Sequence, residues 1–186
     1  MKKLFPLILF FLGGCAGQTW YKINPQLSEL SVNQIAQMVE VENSPNLDFK
    51  KYKAPLLSNN FHFKAIRYNG FECTIRGEKS NNNKNSKAHD VFVRIDYYDK
   101  SARHYNYVTD AVGNVLSITR SKESPEQCNS KKCYFNEMIQ ISVLDYDLRS
   151  FSGETLKMIF ISPNGDKKTV AIPKKYIFGY LRKFDQ

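Results

Sequence analysis

The stretch VFVRIDYY, residues 91–98, alternates between two sets of side chains. Successive side chains of a β-strand point to opposite faces, so residues two apart share a face. The pattern therefore predicts a strand with one apolar face that packs on a core. That face holds Val91, Val93, Ile95 and Tyr97, and the other face holds Phe92, Arg94, Asp96 and Tyr98.

Asn69-Gly70, upstream of this strand, is the strongest short hairpin signal in the chain. Asn-Gly favours the turn whose twist matches two antiparallel strands, here residues 61–68 and 71–76. A two-residue connection places Ile66 beside Cys73. This register predicts that the Cys73 thiol is buried.

Two further turn signals predict antiparallel pairs downstream. Gly113-Asn114 is a second two-residue hairpin signal, and Pro163-Asn164-Gly165-Asp166 places proline and glycine where a β-turn needs them. The strand regions predicted beside these turns and between them are 105–112, 115–119, 134–147, 156–162 and 168–172.

Helical signals occur near each end of the chain. Ser31-Val32-Asn33-Gln34 is a capping-box pattern, and apolar residues then recur at helical spacing up to Asn43-Ser44-Pro45, which predicts a helix over 32–42. Pro173 opens a second helical pattern. Its apolar stripe comprises Tyr176, Ile177, Tyr180, Leu181 and Phe184.

These elements predict an α+β fold that is mainly antiparallel β, either a single sheet or a flattened sandwich, with one helix near each end. Strands and helices do not alternate along the chain, so a parallel sheet is not expected. No internal repeat or change of composition divides residues 31–186, and we expect them to form one domain.

Residues 1–14 have the composition of a secretory signal peptide. Lys2 and Lys3 form a short cationic region, and residues 4–12 contain no polar side chain. This apolar run is too short for a transmembrane helix, which needs about 20 residues. Its length instead suits a signal peptide.

Leu12-Gly13-Gly14-Cys15 follows and resembles the lipobox of bacterial lipoproteins. The resemblance implies that residues 1–14 are removed and that Cys15 carries acyl chains, two or three of which hold a protein on a membrane almost permanently. Ala16 is not the aspartate that marks inner-membrane retention in many such proteins, which implies the outer membrane with the domain in the periplasm. Residues 15–30 would then be the lipidated cysteine and its tether.

The formal net charge of +9 falls to +7 when Lys2 and Lys3 leave with the signal peptide. A basic surface could favour anionic lipid, lipopolysaccharide, a cell-wall polymer or an acidic protein. The Lys and Arg residues are scattered, however, which is typical of an ordinary solvated surface. Export argues against nucleic acid as a partner.

Three cysteines remain besides Cys15, and export into an oxidising compartment favours a disulfide among them. We predict the pair Cys128–Cys133, which would close a small polar loop. The alternative joins Cys73 to one of these two and leaves the other free. The C-x4-C spacing has no second ligand pair nearby, so a zinc site is not expected.

The histidines and Cys73 give no defined catalytic set. His62, His89 and His104 lack the i, i+4 helical spacing of zinc hydrolases. Cys73 could pair with a histidine base, but no local signature accompanies such a pair. We therefore expect a protein that is not an enzyme.

Asp145 and Asp147 form the one acidic pair that could hold a cation or serve as an acid and a base. On a strand they would project from the same face. The interpretation we favour is a charged strand end beside the turn 149–153. We therefore expect neither a metal nor another cofactor.

Four clustered tyrosines could form a face that binds sugar or protein. Aromatic residues are also ordinary strand formers, so these side chains could equally be the wet edge of a core, which we favour. The four are Tyr97, Tyr98, Tyr105 and Tyr107.

The function that fits this sequence best is an outer-membrane lipoprotein that acts as a non-catalytic binding or accessory subunit in the cell envelope, together with another envelope protein. The alternative is a module that binds a cell-wall polymer, lipid or lipopolysaccharide.

Overall fold

The computed structural model describes residue 27 and residues 29–43, 49–58, 62–63, 66–67, 70–80, 88–128 and 132–186. The predictions on Cys15, on residues 1–14 and on most of the tether lie outside the described residues. The strands are β1 (Glu40–Asn43), β2 (Phe49–Lys53), β3 (Leu57–Ser58), β4 (His62–Phe63), β5 (Ile66–Arg67), β6 (Gly70–Ser80), β7 (Ala88–Asp99), β8 (Tyr107–Asp110), β9 (Ser117–Cys128), β10 (Cys133–Leu144), β11 (Thr155–Ile161) and β12 (Lys167–Pro173). The helices are α1 (Val32–Gln37), α2 (Asp145–Ser150) and α3 (Lys174–Phe184).

A seven-stranded antiparallel sheet is the main element of the fold. Its strand order is β1-β2-β6-β7-β10-β9, with β3 also paired to β6. The enclosed face predicted for residues 91–98 is confirmed. On the other face of β7, Tyr98 is exposed whereas Asp96 is buried. The enclosed side chains of β7 are Val91, Val93, Ile95 and Tyr97, each at most 1% exposed.

The segment before β6 pairs differently from the predicted hairpin. Ile66 lies opposite Phe63 in a separate two-stranded ribbon, and Leu57 lies opposite Cys73. Antiparallel β7 occupies the other side of β6 at this level, with Val93 opposite Cys73. Asn69 lies outside the described residues. The prediction that Cys73 is buried is nevertheless confirmed.

A three-stranded sheet, with the order β12-β11-β8, forms the second layer. The predicted turn between β11 and β12 is confirmed. Its glycine, Gly165, has a φ of +84°, a conformation that glycine adopts without steric cost, and Ser162 N donates to Asp166 O at 3.0 Å.

The turn that follows β8 has a three-residue loop, Ala111–Gly113, between Asp110 and Asn114, and not the two-residue loop predicted. Gly113 has a φ of +95° and its N–H donates to Asp110 O. This is the hairpin loop in which a type I turn precedes a left-handed glycine. The Asp110 side chain also accepts from the N–H groups of Val112 and Asn114 at 2.9 and 2.8 Å.

The helices partly follow the prediction. The capping box at Ser31 and Gln34 is present, but α1 ends at Gln37 because residues 40–43 pair with β2. Helix α3 begins directly after Pro173, and all five residues of its predicted stripe are buried.

Helix α2 was not predicted. β10 ends at Leu144, so Asp145 and Asp147 lie in the first turn of a helix and not on a strand. Carboxylates are favoured there because the N-terminus of a helix carries partial positive charge. The one buried side chain of α2, Leu148, anchors the helix in the core.

One cluster of buried residues joins both sheets with α1 and α3. Helix α1 packs against α3 so closely that a Cβ built on Gly179 would lie 2.5 Å from Ile35 Cγ2. These elements cover one face of the large sheet. The fold is therefore mainly antiparallel β with three short helices, as the predicted α+β class requires.

Candidate functional site

Cys73 is enclosed in the core and is only 1% exposed. Burial raises the pKa of its thiol well above the usual range, because the charged thiolate would lose its solvation. A nucleophilic cysteine needs a lowered pKa and access to substrate. Cys73 therefore fits a structural role.

The side chain of His89, on β7, is buried against α3 and has a partner at each ring nitrogen. Nε2 lies 2.8 Å from Asp145 Oδ1, and Nδ1 lies 2.9 Å from the Tyr180 hydroxyl. An ionised carboxylate can only accept, so Nε2 carries the proton and Nδ1 accepts from Tyr180. The ring also contacts the edge of Phe184, and it has no face open to a substrate.

Arg149 connects this histidine cluster to the C-terminus of α3. Its Nε donates to Asp145 at 2.7 Å, and its two terminal nitrogens donate to Asp185 at 3.0 and 2.8 Å. Burial acts to raise the pKa of Asp145, but the hydrogen bonds from Arg149 and His89 outweigh it and hold that pKa below its usual value. The cluster thus locks α2 against α3 and β7.

The stability of the domain should fall as the pH drops below about 6.5, the unperturbed pKa of histidine. Burial lowers the pKa of folded His89, although Asp145 opposes that effect. The unfolded chain then binds the proton more readily, so this contribution is present above pH 6.5 and is lost as the pH falls through the folded pKa. Urea unfolding at pH 7.5, 6.5 and 5.5 measures the loss.

His104→Asn provides the matched control for this pH dependence. His104 is exposed and has a φ of +58°, which asparagine tolerates. We expect the free energy of unfolding of His104→Asn to fall with decreasing pH as steeply as that of the wild-type protein. For His89→Gln we expect a shallower fall. An equal slope in His89→Gln and the wild-type protein would exclude His89 as the cause.

Glu137 is a second buried group, and it was not predicted. Its carboxylate accepts from the Tyr97 hydroxyl and from the backbone N–H groups of His104 and Tyr105, the latter two at 3.0 and 2.8 Å. The segment between β7 and β8 is thereby fastened to β10. Glu137 occupies an inward position between Phe135 and Ile139. A charged residue on the otherwise apolar face of this strand is the sequence signal that could have identified it.

The four clustered tyrosines do not share a surface. Tyr97 and Tyr105 are each 1% exposed and belong to the core, whereas Tyr98 and Tyr107 are 38% and 43% exposed. The Arg103 guanidinium lies over the Tyr97 ring at 4.6 Å and donates to the Tyr105 hydroxyl. Tyr97 and Tyr105 therefore cannot present their rings to a ligand, so the four tyrosines do not form the joint binding face that was the less favoured alternative.

Cys128 and Cys133 form the predicted disulfide. They lie directly opposite each other where β9 and β10 meet, so the bridge joins the last strand of the sheet to its neighbour.

The face of the large sheet opposite the core holds a groove of about 730 Å³, here named the charged groove. It crosses β1, β2, β6 and β7, and the side chain of Phe92 lies among its lining residues. Its basic residues are Lys51, Lys53 and Arg76. Its acidic residues are Glu40, Glu42, Glu78 and Asp90.

Charges in the charged groove form two rows across the strands. One row runs Glu40, Lys53, Arg76, Asp90, and the Lys53 ammonium lies 2.7 Å from Glu40. The other row runs Glu42, Lys51, Glu78, with Lys51 and Glu78 3.8 Å apart. Exposed pairs of this kind add little stability, typically less than about 1 kcal/mol. These charge rows therefore contribute little to the stability of the fold.

The described residues contain no group of three or more His, Cys, Asp or Glu side chains suited to a metal ion. None of the helices in this described part has the length and apolar character needed to cross a membrane. The sequence matches no known family model and no curated protein at a significant level.

Proposed function

We propose that this protein is a lipid-anchored, non-catalytic binding subunit of the bacterial envelope, and that it binds another envelope protein through the charged groove. The observation that carries the binding role is the groove itself, which combines seven charged side chains and an aromatic ring on the open face of the sheet. Charged side chains arranged across an interface favour a partner with the complementary pattern of charge.

The proposed location at the outer membrane rests on the sequence that precedes the domain. The signal peptide 1–14 and the lipobox cysteine, Cys15, support lipidation, and Ala16 supports the outer membrane over the inner one. Leu27 is already part of the core, so the 11 residues 16–26 separate the lipidated cysteine from the domain and span at most about 40 Å. The domain would work in the periplasm close to its membrane.

A non-catalytic role is supported by the surroundings of the side chains that could act as a nucleophile, acid or base. Cys73 is enclosed, His89 has both nitrogens occupied, and Glu137 accepts three hydrogen bonds from the chain itself. These three groups are therefore enclosed or engaged within the fold.

Cross-linking in intact cells, followed by fractionation and mass spectrometry, tests this proposal. We expect the tagged wild-type chain to sediment with membranes and to copurify with a near-stoichiometric envelope protein. The Cys15→Ala variant should appear as an uncleaved or soluble form without lipid, because the acyl chains supply nearly all of the membrane affinity.

Normal membrane fractionation of a processed Cys15→Ala protein would overturn the lipid anchor. Absence of any reproducible partner, with salt-sensitive sedimentation of the protein on cell wall or anionic vesicles, would instead support the polymer- or lipid-binding alternative.

A further inference from the structure

Resting on the proposed function, we infer that the charged groove takes a polypeptide segment of the partner in which an acidic residue is flanked by basic ones. The inference follows from the order of the charges across the strands and from their balance.

Two cations lie side by side at the centre of the first row. Lys53 on β2 and Arg76 on β6 are direct neighbours across the sheet, and both side chains are exposed. The Lys53 ammonium already contacts Glu40 at 2.7 Å, so an added carboxylate is expected to bind chiefly the Arg76 guanidinium. It would gain charge-assisted hydrogen bonds there, which are the stronger kind.

The Arg76 guanidinium is held ready for such a group. Its centre lies 4.3 Å from the centroid of the Phe92 ring, so the ring supports the flat guanidinium. An arginine stacked in this way keeps its fixed fork of N–H donors available for a planar acceptor, which a lysine could not reproduce. The carboxylate of a glutamate or aspartate is such an acceptor.

Carboxylates flank this central pair and argue against a polyanionic ligand. Glu40 and Asp90 end the first row, and the second row has two carboxylates for one lysine. The groove therefore has four acidic residues against three basic ones. An acidic polysaccharide or an anionic lipid surface would be repelled at both ends, whereas a peptide with basic residues beside its acidic one would be attracted along its length.

An NMR titration of the full chain in non-ionic detergent micelles tests the inference with defined probes. The first probe is the peptide acetyl-Lys-Ala-Glu-Ala-Lys-amide at up to millimolar concentration, the second has Gln in place of Glu, and the third is polyglutamate. We expect saturable shifts of the Lys53, Arg76 and Phe92 resonances with the first peptide, about tenfold weaker binding of the second, and weakening by salt.

Arg76→Gln removes the guanidinium from an exposed position and should weaken binding of the first peptide about tenfold while the fold persists. Lys157→Gln, at an exposed lysine of β11 outside the groove, is the matched control and should bind as the wild-type protein does. Tighter binding of polyglutamate, binding without saturation, or unchanged binding by Arg76→Gln would each overturn the inference. These outcomes leave the cross-linking result intact, because a partner could still be held by another surface.

Discussion

Glu137→Ala is expected to lower the free energy of unfolding by about 3–5 kcal/mol. The side chain accepts from three donors, the Tyr97 hydroxyl and the backbone N–H groups of His104 and Tyr105, at a position 1% exposed to solvent. Truncation leaves these donors without their acceptor in a dry environment, and each unsatisfied buried donor costs about 1–3 kcal/mol. Chemical denaturation followed by circular dichroism measures the loss.

Two further variants separate hydrogen bonding from the mere presence of a carboxylate. Glu137→Gln keeps the shape and one acceptor oxygen but turns an N–H group toward a donor, so we expect an intermediate loss. Glu78→Ala removes a glutamate whose side chain is 62% exposed, and it should change stability by less than about 1 kcal/mol. If Glu137→Ala were as mild as Glu78→Ala, the proposed role of Glu137 in fastening the segment 103–105 would be wrong.

Gly179→Ala is expected to cost about 2–3 kcal/mol, although alanine is the better helix former. At an unrestricted helical position this change would stabilise the protein by about 1 kcal/mol. Here the new Cβ would lie 2.5 Å from Ile35 Cγ2 and 3.1 Å from the carbonyl oxygen of Val32. Helices α1 and α3 would have to separate, and forced overpacking of this kind typically costs about 1–3 kcal/mol.

Gly153→Ala is the matched control for this steric argument. The three atoms nearest to a Cβ at that exposed position all belong to the far end of the Phe151 ring, the first at 2.9 Å, and this ring can move aside. We expect a change within about 0.5 kcal/mol. A gain in stability from Gly179→Ala in thermal or urea unfolding would mean that α1 does not pack on α3 as described.

The elements that the sequence predicted well are those with a local signature. β7 shows a period of two over its whole central part, and α3 combines an N-terminal proline with a regular apolar stripe. Both patterns follow from the geometry of a single element, so no knowledge of distant residues is needed. The pairing of Cys128 with Cys133 was accessible for the same reason, since only a short loop separates the two.

What the sequence could not predict depends on contacts between distant residues. Helix α2 has six residues, too few to be stable alone, and it is held by Leu148 in the core and by the ion pair of Arg149 with Asp185. His89 has two partners that are distant in the sequence. Asp145 is 56 positions away and Tyr180 is 91 positions away. The charged groove likewise arises only when four strands come together.

The disulfide between Cys128 and Cys133 also restrains the terminal strand of the large sheet. β9 is a terminal strand, and strands of this kind are the ones that two copies of a protein exchange when a connecting loop opens. Such an exchange requires the link between β9 and β10 to straighten, so that β9 can reach a second molecule. The disulfide fastens the two ends of that link to each other, and the strand therefore remains in its own molecule for as long as the bridge is oxidised.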